Sequence, residues 1–183
     1  MSITEENDKY ASLSLDNLLA DLSAKAVELN PDGFETTCEH WIGFENALEA
    51  DILAAENRLA ITLPSDYKTF LGITNGFPAV NDIATSFLPI SKIDYAKNIV
   101  PDLIKVYGTN GLKKNQINPE KYDRSILIGG LDEEQMFLLI PPENGDTKWE
   151  YWKFANWIPG EEVYVSLRAY FESSLDFCIY IRG

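Results

Sequence analysis

One stretch constrains the fold of this chain more than any other, residues 48–77. Leu48, Ile52, Ala55 and Leu59 recur at spacings of four, three and four, which aligns them on one stripe of a helix. Glu45, Glu49, Asp51, Glu56 and Arg58 fall mostly off that stripe and should meet water. The helix is expected to run out near Ala60. Ile61-Thr62-Leu63 is short and β-branched, and the residue ahead of Pro64 is pushed out of the helical region. Pro64 suits the first turn of a second helix, where its missing N–H costs nothing. Asp66 places a negative charge at the positive end of that helix. Tyr67, Phe70, Leu71 and Thr74 make its inner face, and Asn75-Gly76 stops it, since both residues tolerate the left-handed conformation. Taken alone, these residues establish two packed helices in a folded domain. Their roles read as packing and capping, not chemistry.

The same residues carry a resemblance. From Glu56 to Phe77 the chain reads E-x-x-L-x-I-x-L-P-x-D-Y-x-x-F-L-x-x-x-N-G-F. This pattern resembles the signature of the SUKH superfamily, which groups bacterial immunity proteins with fungal cell-wall assembly regulators. Phe87-Leu88-Pro89-Ile90, the Ile126–Gly129 segment and an aromatic C-terminal helix follow in the order that superfamily shows. The resemblance spans roughly residues 40–180 and implies a single sheet with helices packed around it. An N-terminal helix over residues 15–29 departs from the minimal pattern and reads as an extension. The expected organisation is therefore a tail and helical extension over residues 1–40, then a SUKH-like domain over 41–183.

Periodicity along the chain gives the same α+β class. Residues 1–12 are polar and are expected to fray. Leu15, Leu18, Leu19, Leu22, Ala26 and Leu29 repeat at helical spacing, Ser14 offers a cap, and Pro31-Asp32-Gly33 ends the element. Residues 34–44 read as a linker packed by Trp41 and Phe44. Thr85–Ile90 suggests a short strand. Ser91 with Asp94 resembles a capping box for a helix from about Lys92, which Pro101 divides. Residues 108–124 read as a polar surface loop. The last third alternates strands and turns: Ser125–Ile128, Gln135–Ile140, Trp149–Phe154 with aromatics on both faces, and a short edge strand at Val163–Val165. Ser166 opens a closing helix. The loops between strands are too short for crossovers, so a single, mostly antiparallel sheet follows, with helices around it.

Composition narrows the function classes. The 183 residues, 45% hydrophobic and 12% aromatic, favour one domain with a sizeable core. No run approaches the ~18–20 apolar residues of a bilayer span, and the acidic N-terminus resembles no secretory signal, so the expected compartment is the cytoplasm. Cys38 and Cys178 fit reduced, buried thiols better than a disulfide framework. The net charge is −14, and residues 1–60 hold 13 Asp and Glu against 3 Lys and Arg. That balance disfavours nucleic acid and anionic membranes. It attracts a basic protein, although acidity also simply keeps a protein soluble.

No P-loop, dinucleotide fingerprint, H-E-x-x-H or C-x-x-C is present. Cys38-x-His40 lacks the further ligands of a metal set. The sequence thus assigns no catalytic, cofactor or metal residues. The partner-facing candidates are Asp132, Glu133, Glu134, Glu161 and Glu162 as charged loop tips, with Trp152 and Trp157 as aromatic anchors. What the SUKH resemblance implies is a non-catalytic immunity protein that neutralises a cognate toxin, for instance a nuclease, its carboxylates standing in for phosphates. The alternative it implies is a regulatory adaptor akin to the cell-wall regulators.

Overall fold

The computed structural model describes residues 3–36, 40–113, 118–143, 146–155 and 161–181. Among the described residues, six strands form one sheet: β1 (Ile3–Thr4), β2 (Asp94–Tyr95), β3 (Ile126–Gly129), β4 (Gln135–Ile140), β5 (Glu150–Ala155) and β6 (Glu161–Tyr164). Their spatial order is β1-β6-β5-β4-β3-β2. Every pairing is antiparallel except β1 on β6, which is parallel. Among the described residues the helices are α1 (Leu15–Leu29), α2 (Glu49–Leu59), α3 (Ser65–Ile73), α4 (Ala96–Ile99), α5 (Pro101–Tyr107), α6 (Pro119–Arg124) and α7 (Leu167–Tyr180). This is the expected α+β architecture.

Side chains alternate across a strand, and here both faces are apolar, so both need cover. Phe137 on β4 and Tyr164 on β6 share one face, where Phe87, Tyr170 and Phe171 interlock in a chain of ring contacts at 4.6–6.1 Å. Phe70 of α3 extends that chain through Phe171. The opposite face carries Trp152 and Phe154, packed edge-on against Tyr107 and Tyr122 of α5 and α6. Helices of the same chain thus seal both faces. α1 packs along α7, and its Leu18, Leu19, Leu22 and Ala26 join the same buried core.

The polar residues of the Glu56–Phe77 signature hold this arrangement together. Glu56 accepts the Leu63 backbone N–H (2.8 Å) and pairs with Lys68 (3.1 Å), closing the turn between α2 and α3. Asn75 accepts the Ile90 N–H through its side chain (2.7 Å). Gly76 sits at φ 102°, and a Cβ there would lie 2.8 Å from the Phe87 carbonyl oxygen. The Asn-Gly pair therefore brings the α3 exit against residues 87–90.

The structure corrects several expectations. Leu48 caps α2 and is exposed, so the inner stripe starts at Ile52. α2 ends with Ala60 in the left-handed conformation, and Pro64 stands at the N-cap of α3, one place before its first turn. Residues 85–90 make isolated bridges from Phe87 to Phe77 and Gly129 instead of a strand. No helix starts at Lys92; the chain first pairs as β2 and then turns into α4. The polar segment 108–124 contains α6, which begins at Pro119. Phe44 is exposed, while Trp41 leans edge-on against Phe77 at 5.9 Å. β6 is not an edge among the described strands, because β1 pairs beyond it.

From Ile3 onward the N-terminal segment is docked and not frayed. Tyr10 is buried, and residues 6–10 are tied to α7 and its cap. Glu172, itself buried, accepts the Asn7 backbone N–H (2.6 Å) and the Arg168 Nε–H (2.7 Å). Asp176 accepts from Lys9 Nζ (2.7 Å) and the Tyr10 hydroxyl (2.6 Å). Arg168 also donates to the Tyr10 carbonyl (2.6 Å), and Ser166 to Glu6 (2.6 Å). These partners lie some 160 positions away in sequence, where local pattern carries no signal.

Candidate functional site

A groove of about 680 Å³ opens at the end of the molecule where α1 and α7 finish. Leu29, Phe34, Val80, Ala84 and Ile181 give it apolar walls, while Asp82, Asp132, Glu133 and Glu134 bring four carboxylates; no lysine or arginine is among the described residues of its lining. Two loops supply the acid. Residues 79–84 follow the α3 exit, and residues 130–135 form the β3–β4 turn. Gly130 has φ 72°, a left-handed turn position where a Cβ would collide with the Gln135 carbonyl.

One carboxylate of the acidic run has an internal task. Glu133 accepts the Ser86 backbone N–H (3.3 Å) and a short hydrogen bond from the Ser86 hydroxyl. The Gly130 N–H donates to the Ser86 carbonyl (2.9 Å). Together they buckle the β3–β4 turn to the loop beside it, so the rim is set before anything binds. Asp82, Asp132 and Glu134 remain exposed, and none is in an ion pair among the described residues.

The other predicted residues are dispersed. Glu161 and Glu162 are neighbours on a strand, so their side chains leave opposite faces. Glu161 is buried and accepts the Tyr122 hydroxyl (2.5 Å). Glu162 is exposed, 3.5 Å from Lys153, and also accepts the Tyr164 hydroxyl (3.1 Å). Trp152 is wholly buried, its indole N–H donating to Glu150 (2.9 Å) beneath Lys121. Glu161 and Trp152 are therefore buried in the core instead of standing out as a loop tip and a surface anchor. Trp157 lies outside the described residues, as does Cys38. Among the described residues the exposed aromatics are Phe44 and Tyr180. Sequence reasoning missed Asp82 and Phe34, which lie far from residues 132–134 in the chain; only the fold brings them to the same groove.

Little else converges. His40 is exposed at a left-handed position (φ 68°). Among the described residues no group of three or more His, Cys, Asp or Glu is placed to hold a metal ion. Cys178 is a buried free thiol whose pKa burial raises. The Tyr67 hydroxyl is buried without a partner among the described residues, and burial raises the Tyr67 and Tyr151 phenols above their ordinary range. No helix among the described residues is long and apolar enough to cross a membrane.

Two comparisons with known proteins complete the picture. The family model described as SMI1 / KNR4 family (SUKH-1) matches residues 46–176. No curated protein matches the chain.

Proposed function

Because the chain belongs to the SMI1 / KNR4 family (SUKH-1), we propose that it is a non-catalytic protein-binding module of the immunity type, which holds and neutralises a cognate toxin. Family membership is the observation that carries this reading. The acid-rimmed groove is where the geometry supports it best. A net charge of −14 suits a basic partner. A toxin that acts on nucleic acid has such a surface, and carboxylates that occupy its phosphate-binding groove block substrate entry.

The test has two readouts. The product of the neighbouring gene is co-expressed with this chain, and both co-purification and survival of the host are scored. A stoichiometric complex together with rescue is the expected result. Rescue without a complex, or turnover of a small substrate by the purified chain, contradicts the binding mechanism. A regulatory adaptor is the alternative, and it predicts a complex with a host enzyme and no toxicity from the neighbour.

A further inference from the structure

We infer that the groove between the α1 and α7 ends takes a short segment of the partner chain that presents an arginine or lysine beside an aliphatic side chain. This rests on the protein-binding reading and names the chemistry of the contact.

Two features of the groove demand different things from its occupant. Among the described residues, Asp82, Asp132 and Glu134 lack ion-pair partners, and the cleft they line has no lysine or arginine. Their mutual repulsion is relieved by a cation, but a dissolved counterion does that as well. The walls differ: Phe34, Val80 and Ile181 are apolar, and Ile181 keeps 47% of its surface in water. Apolar surface gains only when another apolar group displaces that water, at about 25 cal/mol per Å². A small ion leaves it wet, and a purely aliphatic segment leaves the carboxylates unpaired or desolvated. A side-chain pair that is both cationic and aliphatic satisfies the two together. A volume of about 680 Å³ encloses a few side chains, not a broad flat face. The Glu133–Ser86 buckle keeps the rim in place without the ligand, so little ordering cost remains at binding.

The probe is the capped tetrapeptide Ac-Leu-Arg-Leu-Arg-NH2, titrated into the full-length ¹⁵N-labelled chain at low salt. Amide shifts are expected to cluster at Gly33, Asn81, Ala84 and Glu134. Ac-Ser-Arg-Ser-Arg-NH2 and Ac-Leu-Glu-Leu-Glu-NH2 should each bind at least about tenfold more weakly. The variant D82N/D132N/E134Q, which keeps side-chain shape, should lose the response to the Leu-Arg peptide. Shifts of equal size with the Ser-Arg peptide, shifts elsewhere on the surface, or no shifts overturn the assignment. The same variant in the rescue assay separates the two claims. If it still binds and neutralises the neighbouring toxin, the groove assignment falls and the immunity reading stands. If the unaltered chain binds no neighbour, the immunity reading falls, and the peptide titration still decides the groove.

Discussion

Trp152 and Glu133 illustrate how a residue's chemistry and its task diverge. An indole in a strand rich in aromatics looks like an interface anchor. Here it fills the core between β5 and α6, with Tyr122 edge-on at 5.5 Å. Trp152→Ala should therefore cost about 3–5 kcal/mol of stability, read as a shifted midpoint in urea unfolding. Glu133 and Glu134 are adjacent and identical, yet only the first is hydrogen-bonded across to Ser86. Glu133→Ala should destabilise the fold by about 1–3 kcal/mol. Glu134→Ala should stay within about 0.5 kcal/mol of the parent and weaken partner binding instead. Equal effects of the two on unfolding would remove the distinction. Gly76→Ala, at φ 102° and against the Phe87 carbonyl, should cost about 1–3 kcal/mol in the same assay.

Among the elements, the N-terminal segment offers the sharpest test. Burial opposes ionisation of Asp176, but hydrogen bonds from Lys9 and Tyr10 and the Lys9 charge outweigh it and hold the carboxyl below its usual pKa. A folded value below the unfolded one stabilises the native state fully above about pH 4. That contribution is lost as pH falls through the lower folded value. Asp176→Asn should therefore lower the melting temperature at pH 7, and the gap to the parent should close below about pH 4. A gap that persists in acid would mean the segment is held by something else. This segment was illegible in the sequence because its partners stand on α7. What periodicity does reveal are elements whose code is local: the Leu18–Ala26 stripe of α1, the Tyr67–Leu71 face of α3, and β4, read correctly as Gln135–Ile140. Where a residue sits at an element's end, as Leu48 does, the same spacing misleads, because no neighbouring turn covers it. The acidic rim was half legible. Residues 132–134 announce a charged turn, whereas Asp82 and Phe34 enter the site only through topology.

For the molecule as a whole, the sheet is sealed on both faces by its own helices, so what is left for recognition is the exterior and its charge. In the function proposed above, the carboxylates of the groove, which have no ion pair among the described residues, draw a basic protein at long range and hold it at short range. Screening shortens the reach of exposed charge from about 30 Å at 0.01 M salt to about 3 Å at 1 M. The most direct measurement is the dissociation constant of the complex with the neighbouring gene's product, determined by calorimetry across that salt range. Affinity should fall steeply as salt rises, and D82N/D132N/E134Q should both weaken the complex and flatten its salt dependence. A complex that forms with the same affinity at every salt concentration, or no complex at all, would contradict the account.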